Sequence, residues 1–206
     1  MTVYAFGNRI PQIAHSAWVH PAADVTGIVI IGPNVYVGSG AILRGDYGSI
    51  RVGAGTAIEE NVTIHARPEE WTIIEDNVTI GHAAMIHNCT IRAGAVIGMN
   101  ATVTDYAEIG EGAIVAEGAV VKNKTIVAPY TIVAGVPAKV IGPVPEQATV
   151  FWQGFKELYQ DLAKRYPNEL RVLTPEEYTG NENVGLFLNY VIPIFKNVGN
   201  ANLIPS

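Results

Sequence analysis

Aliphatic residues recur at every sixth position over more than half of the chain. From Val25 onward the sequence divides into hexads such as VTGIVI, IGPNVY and VGSGAI, and this division continues to VAPYTI and VAGVPA. An aliphatic residue opens every unit, glycine often follows it, and a small or aliphatic residue returns at the fifth position. A short repeat of this kind indicates a solenoid, in which each coil packs on its neighbours.

Six residues make a short strand and a turn, and three such units close one triangular coil. The opening aliphatic residue of each hexad then stacks on the one a coil below, so stability comes from neighbouring coils. The repeat from Val25 to Ile141 predicts roughly six coils, about 30 Å tall at the usual strand spacing. An antiparallel β-sandwich would need turns every eight to twelve residues, and the spacing of six argues against it. The predicted fold class is therefore all-β, a parallel β-helix of hexapeptide repeats.

The segments outside the repeat predict a cap, a helix and a tail. Residues 1–24 are expected to form a lead-in that covers the open end of the β-helix at 25–141. Apolar residues at helical spacing predict a C-terminal helix over 146–166, which packs on the coil and ends before Pro167. The tail 167–206 shows no clean period.

Two departures from the period of six lie near one another in the repeat. The insertion from Ala66 to Thr72 is expected to leave the coil as a loop, and the phase of the repeat slips at Gly45 and Asp46. Because loops on a rigid scaffold often carry function, these departures direct attention to the neighbouring hexads.

Composition and charge narrow the class of partner. The formal net charge of −6, without a run of Lys or Arg, removes the basic surface expected of a nucleic-acid-binding protein, so a small-molecule partner is expected. A single cysteine, Cys89, gives no sign of an oxidising compartment. The amino-terminal residues lack a leader pattern, and no apolar run reaches membrane-spanning length. The expected location is cytoplasmic, away from membranes.

Three of the five histidines lie close together in the repeat: His65, His82 and His87. Surface imidazoles at turns are one interpretation. A metal site is the other, and two histidines in consecutive hexads favour it. Three imidazoles leave one tetrahedral position of Zn²⁺ open, as in catalytic sites, where bound water reaches a pKa of about 7. His15 and His20 lie outside this group and receive no role.

The hexad frame makes it difficult for the three histidines to meet within one chain. His82 and His87 lie five residues apart across a hexad boundary, so their side chains are expected to leave different faces of one corner. In a homotrimer, His65 and His87 of one subunit can meet His82 of the next. The predicted metal site therefore lies at a subunit interface and requires assembly.

Arg44 and Asp46 lie two residues apart at the slip in the repeat and predict a fixed ion pair. A structural pair at an interface and a direct catalytic role are both open for these two residues.

Several segments together resemble the γ-class carbonic anhydrase-like proteins, and within them the branch associated with carnitine and phenylacetate metabolism. The resemblance extends from about Phe6 to Tyr166. It is carried by the segments Arg44-Gly45-Asp46, Ile64-His65, Ile80-Gly81-His82, Ile86-His87-Asn88-Cys89-Thr90-Ile91 and Ile97-Gly98-Met99-Asn100.

The resemblance implies a left-handed parallel β-helix, a homotrimer, and zinc, or iron or cobalt in some members, held by His65 and His87 of one subunit and His82 of its neighbour. It also implies that Arg44 and Asp46 pair at the interface near the metal. Where the family usually carries a glutamine that contacts metal-bound solvent, this chain has Glu59, which accepts hydrogen bonds but does not donate them when ionised.

Two further assignments follow from the same resemblance. The family places an acidic loop near a proton exit, and Glu69 and Glu70 of the insertion match it; a solvated loop is the alternative. Tyr130 lies where some members place a tyrosine near the site, so it joins Glu59, Arg44 and Asp46 as a candidate catalytic residue.

Three hypotheses of function follow. The first is a trimeric metalloenzyme of the γ-carbonic anhydrase type, which hydrates CO₂ or hydrolyses an acyl-CoA thioester with metal-bound hydroxide. The second is a hexapeptide-repeat acyltransferase, which shares the coil and normally uses one catalytic histidine. The third is a non-catalytic, metal-binding trimer.

Overall fold

The computed structural model describes residues 2–178, and residues 2–167 within it form a parallel β-solenoid followed by a helix. This architecture confirms the parallel β-helix predicted from the hexads and the C-terminal helix predicted from the helical spacing of apolar residues. Most strands are only two or three residues long, as expected where each hexad contains a strand and a turn. The strands are β1 (Thr2–Tyr4), β2 (Gln12–Ile13), β3 (Trp18–Val19), β4 (Asp24–Ile31), β5 (Tyr36–Val37), β6 (Ile42–Val52), β7 (Ala57–Ile58), β8 (Thr63–His65), β9 (Trp71–Ile74), β10 (Thr79–Ile80), β11 (Met85–His87), β12 (Thr90–Ile91), β13 (Val96–Ile97), β14 (Thr102–Val103), β15 (Glu108–Ile109), β16 (Ile114–Val115), β17 (Val120–Val121), β18 (Ile126–Val127), β19 (Thr131–Ala134) and β20 (Lys139–Pro143).

The strands stack into the three faces of the coil. One face is an eight-stranded sheet in the order β3-β5-β7-β10-β13-β16-β19-β20, in which only the last pair is antiparallel. The other two faces are joined into one sheet because β4 and β6 continue around a corner. The amino-terminal half of β6 pairs with β8, and its carboxyl-terminal half pairs with β9. The stack β6-β8-β11-β14-β17 is called the histidine face below, since β8 and β11 end in His65 and His87.

The core is a column of aliphatic side chains inside the coil. On the histidine face the inward positions are in register with one another, and each side chain is completely buried: Leu43, Ile64, Ile86, Val103 and Val121. Because the strand period is two, the residues on either side of an inward position point outward. The hexad pattern therefore fixes which side chains reach the surface of the face.

Three columns of turns connect the faces, and many turn residues have a positive φ. In the corner after the eight-stranded sheet, Asn61, Ala83 and Asn100 have φ values of 61°, 58° and 58°. Backbone N–H groups in this corner donate to the turn one coil below, as from Asn100 to His82. The repeated asparagines and glycines follow from this left-handed backbone, which asparagine and glycine adopt most readily.

The predicted slip and insertion lie side by side. Gly27 pairs with Gly45 and Val29 pairs with Ile50, so β6 carries extra residues between these pairs. A Cβ atom on Gly27 would lie 2.1 Å from the Gly45 carbonyl oxygen, which explains the glycine at this close approach. The insertion leaves the coil at residues 66–70, and the Glu69 N–H donates to the Tyr47 carbonyl at 3.0 Å.

Residues before Val25 take part in the sheets. β1 and β2 pair in parallel with β4, and β3 pairs in parallel with β5. Parallel stacking therefore extends to the first strand, Thr2–Tyr4.

Helix α1 (Glu146–Glu169) packs an aromatic stripe against the eight-stranded face. The ring of Tyr166 stacks on Trp18 with ring centroids 4.5 Å apart, and the ring centroids of Tyr159 and Tyr36 lie 5.0 Å apart. The helix continues beyond the predicted end at residue 166 and contains Pro167. Proline lacks a backbone N–H donor, so one hydrogen bond of the helix is missing. The loss of a single hydrogen bond so near the carboxyl end leaves the last turn in place.

Residues 168–178 belong to a second unit and include the short helix α2 (Pro175–Tyr178), beside which Arg171 and Glu177 form an ion pair of 2.7 Å. Most of the predicted tail, residues 179–206, lies outside the described residues. Within the described part of the chain, no helix is long and apolar enough to cross a membrane.

Candidate functional site

His65 and His87 lie one above the other on the histidine face. They pair directly in the register of β8 and β11, and Arg44 continues the same row on β6. Each follows a buried isoleucine, so both imidazoles point outward. His65 Nδ1 lies 3.2 Å from His87 Nε2, and the structure therefore brings two of the three predicted metal ligands together.

A carboxylate contacts the outer nitrogen of each imidazole. Asp46 Oδ1 lies 3.3 Å from His65 Nε2, and Asp105 Oδ1 forms a short contact with His87 Nδ1. Asp46 also pairs with Arg44 at 2.7 Å. The row therefore runs from a guanidinium through a carboxylate to two imidazoles, and a second carboxylate and guanidinium close its other end.

Asp105 and Arg67, the second carboxylate and its guanidinium, were not identified from the sequence. Arg67 Nη1 lies 2.9 Å from Asp105 Oδ2. The five-residue unit IHNCT shortens this coil, so Ile86 pairs with Val103, seventeen residues later, and Asp105 lies one position beyond the row of His87. A fixed count of eighteen therefore does not describe this part of the coil, and it also fails at Arg67, which lies in the insertion.

Both carboxylates are ionised at neutral pH. Partial burial raises the pKa of Asp46, but the Tyr47 N–H and the Arg44 guanidinium outweigh it and hold this pKa below its usual value. Burial also raises the pKa of Asp105, but the hydrogen bonds from His87 and Arg67 outweigh this effect, so the pKa of Asp105 is lowered as well. Burial, aided by the positive charge of Arg44, lowers the pKa of His65.

A proton count shows what the pair of imidazoles can accept. An ionised carboxylate only accepts hydrogen bonds, so the outer nitrogen of each neutral ring carries the N–H. The two inner nitrogens then both present lone pairs to each other across 3.2 Å. Such an arrangement is suited to a cation, either a proton or a metal ion.

The donor set of this pair fits a metal ion. Two nitrogens bound tetrahedrally to zinc at about 2.0–2.1 Å lie roughly 3.3 Å apart, close to the observed separation. Histidine ligands also usually donate their other N–H to a carboxylate, as Asp46 and Asp105 allow here. Among residues 2–178 of one chain, no group of three or more His, Cys, Asp or Glu side chains is arranged to hold a metal ion.

His82 occupies a different part of the same coil. It lies in the turn that precedes β11, and its ring contacts two carboxylates, with Nε2 3.1 Å from Glu59 Oε2 and Nδ1 2.8 Å from Glu60 Oε2. Its side chain is 44% exposed, so it remains accessible to a neighbouring molecule. The structure thus separates His82 from the other two histidines.

Glu59 is buried beneath His82. It accepts a 3.0 Å hydrogen bond from the His82 N–H, and the Tyr159 hydroxyl of α1 is a further side-chain partner. Burial raises the pKa of Glu59, although His82 and Tyr159 oppose this effect. Helix α1 is therefore linked through one carboxylate to the turn that carries His82.

The remaining candidates lie in two other places. Glu70 accepts hydrogen bonds from Asn88 and, at 2.9 Å, from the Tyr106 hydroxyl, which ties the insertion to the turns after β11 and β14. Glu69 lies in the insertion itself. Tyr130 contacts none of the three histidines; its hydroxyl donates to Glu111 at 2.8 Å in another corner of the coil. Tyr130 lies eighteen residues, or one coil, after Gly112, so the repeat places both residues in the same corner.

Comparisons with known proteins agree with this fold. Residues 88–123 match the family model described as bacterial transferase hexapeptide (six repeats). The carnitine operon protein CaiE of Proteus sp. is 37% identical over 85% of this chain and 89% of its own length. CaiE of Escherichia coli is 38% identical over 80% of this chain and 84% of its own length.

Two solved structures each cover 80% of the chain. A Bacillus cereus protein named as a candidate acetyltransferase is 31% identical with a TM-score of 0.79, over 80% of this chain and 96% of that one. A hexapeptide transferase family protein from Anaplasma phagocytophilum is 33% identical with a TM-score of 0.77, over 80% of this chain and 98% of that one. With its repeat, fold and relatives in agreement, the chain belongs to the family of hexapeptide-repeat proteins that includes CaiE.

Proposed function

We propose that this protein is a homotrimeric hexapeptide-repeat enzyme that transfers an acyl group from a small acyl thioester. The observation that carries the proposal is the His65–His87 pair, whose inner nitrogens lie 3.2 Å apart between two ionised carboxylates. The names of the two structural relatives, a candidate acetyltransferase and a hexapeptide transferase, favour acyl transfer over hydration of CO₂.

The pair is suited to general base catalysis. An inner nitrogen takes the proton of an acceptor N–H or O–H while the acceptor attacks the thioester carbonyl. The thiolate then leaves and receives that proton, so the pair returns to its first state. Asp46 and Asp105 hold the two rings in orientation and balance the positive charge that forms between them. With water as acceptor, the same steps hydrolyse the thioester.

The site is proposed to lie between subunits. His82 is separated from the other two histidines within one chain, and its exposed ring is held by Glu59 and Glu60. In a trimer with coils side by side, the His82 face of one subunit can approach the His65–His87 pair of the next. Arg44 and Asp46 then lie at this interface, in agreement with either of the roles open to them.

A metal-dependent reaction is the second candidate, and the two opposed lone pairs favour it. His65, His87 and a neighbouring subunit's His82 would hold zinc, iron or cobalt. A bound metal would supply hydroxide at neutral pH, for hydration of CO₂ or hydrolysis of a thioester. In that reaction Asp46 and Asp105 would orient the ligand rings, and Glu59 would fix the position of His82.

One set of measurements separates the candidates. The protein is purified without added metal, its metal content is measured, and acetyl-CoA transfer to amines and alcohols, thioester hydrolysis and CO₂ hydration are assayed before and after chelation. His87→Ala is the test variant, and His15→Ala is the matched control because His15 is an exposed histidine away from the site.

Thioester turnover that survives chelation and is lost in His87→Ala supports the acyltransferase. CO₂ hydration that requires metal supports the second candidate. Absence of thioester turnover in both the metal-loaded and the chelated protein contradicts the first.

A further inference from the structure

A cavity lies between helix α1 and a corner of the solenoid that contains none of the three histidines. Its volume is about 240 Å³. Gly94, Gly112 and Tyr130 contribute from the corner, and Trp152 and Lys156 contribute from the helix. Pockets for drug-sized ligands are usually about 300–1,000 Å³, so this volume suits a smaller molecule.

Lys156 is the most unusual residue of the cavity wall. Lys156 is only 5% exposed. Its ammonium group nevertheless forms no hydrogen bond or ion pair with residues 2–178. Buried lysines are normally paired, since an ammonium group loses its hydration on burial. Burial also lowers the pKa of Lys156 to about 8. The missing counter-charge is one that a ligand can provide.

The same cavity carries a negative charge at its exposed side. Glu111 lines it and accepts the Tyr130 hydroxyl at 2.8 Å, but it does not approach Lys156 within the 4.0 Å of an ion pair. A simple anion would pair with Lys156 but would add a second negative charge to the cavity of Glu111. A simple cation would pair with Glu111 but would leave Lys156 unpaired. A molecule with both charges satisfies both residues. The aromatic rings of Trp152 and Tyr130 add faces that attract an ammonium group.

We propose that this cavity binds a small zwitterion, whose carboxylate pairs with Lys156 and whose ammonium group pairs with Glu111. This site is separate from the histidine face and does not depend on the proposed acyl transfer. Its function is recognition of an amino-acid-like molecule through charges at two ends and an apolar link between them.

Calorimetric titration of the full chain with ω-amino acids, from glycine to 6-aminohexanoate, tests the proposal. Because the series varies the spacing of the two charges, at least one member is expected to bind with a millimolar or tighter Kd. The carboxylate and the amine of the same chain length, each lacking the other charge, are expected to bind at least tenfold more weakly.

Variants then locate the binding. Lys156→Met and Glu111→Gln are each expected to weaken the best ligand at least tenfold, and the exposed residues changed in Lys164→Met and Glu117→Gln provide matched controls. Circular dichroism checks the fold, and Glu111→Gln, a substitution of an exposed residue, keeps the test valid if Lys156→Met does not fold.

Absence of binding by every member of the series would overturn the proposal. Equal binding to wild type and both cavity variants, or equal binding of the carboxylate that lacks an amine, would overturn it as well.

Discussion

His65 Nδ1 and His87 Nε2 face each other at 3.2 Å, and behind each ring lies a carboxylate that is itself paired with an arginine. Strand register produces this arrangement, since His65 and His87 occupy the same outward position in successive coils. The carboxylates determine which nitrogens carry protons and leave two lone pairs at the centre. The chemistry of the site therefore depends on the outer residues as much as on the histidines.

Asp105→Asn tests this dependence. The amide keeps the size of the side chain but loses the negative charge behind His87, so activity or metal affinity is expected to fall about 10–100-fold. Steady-state kinetics and metal titration measure the effect. Glu108→Gln is the control because Glu108 is also paired with an arginine, Arg92, but contacts no histidine. An equal loss in both variants would contradict a specific role for Asp105.

Arg67→Met tests the second arginine through the pH profile. The Arg67 guanidinium helps to hold the pKa of Asp105 below its usual value. Without it, Asp105 takes up a proton at higher pH, so the acid limb of kcat/KM is expected to move to higher pH. The stability that ionised Asp105 contributes, which is present above its unfolded pKa, is likewise lost at a higher pH as acid is added. An unchanged acid limb, as expected of the control Arg92→Met, would contradict the prediction.

The fold was predictable because its information is local and repeated. A single aliphatic position, such as Ile64 or Ile86, fixes the inward direction of a strand, and the repeat transmits that direction along the coil. The site was predictable only in part. Counting six residues identifies which positions point outward, and a count of eighteen places Tyr130 in the corner of Gly112, away from the site. The same count does not align the site itself, because His65 pairs with His87 across twenty-two residues and Ile86 pairs with Val103 across seventeen.

Two further features of the site could not be obtained from either count. Arg67 lies in the insertion, whose path depends on backbone hydrogen bonds such as that from Glu69 to Tyr47. The contact of Tyr159 with Glu59 depends on how α1 docks on the eight-stranded face, and helical spacing alone does not determine the docking position.

Tyr159→Phe tests the link between α1 and the turn of His82. The change removes a hydrogen-bond donor from the buried Glu59 carboxylate, so the free energy of unfolding is expected to fall by about 1–3 kcal/mol. Urea denaturation measures it. Tyr166→Phe is the control, because Tyr166 stacks on Trp18 in the same aromatic stripe and its change is expected to cost less than about 0.5 kcal/mol. Equal losses in the two variants would show that Glu59 gains nothing from Tyr159.

Lys156→Met is expected to stabilise the protein at neutral pH. Burial lowers the pKa of Lys156 from 10.5 to about 8, so the folded state disfavours the charged form. Between these two values the unfolded chain binds the extra proton, and stability therefore rises with pH across this window. Below pH 8 the full penalty is present, and it amounts to roughly 3 kcal/mol.

The advantage of Lys156→Met over wild type should therefore be constant below pH 8, shrink as pH rises and level off above 10.5. Urea denaturation from pH 6 to 11 measures this difference, with Lys164→Met as the control for an exposed lysine of the same helix. An advantage that does not change with pH would show that methionine acts only through its apolar packing. A decrease in stability at neutral pH would show that the ammonium group already has a counter-charge, and the ligand proposed for the cavity would then lose its main support.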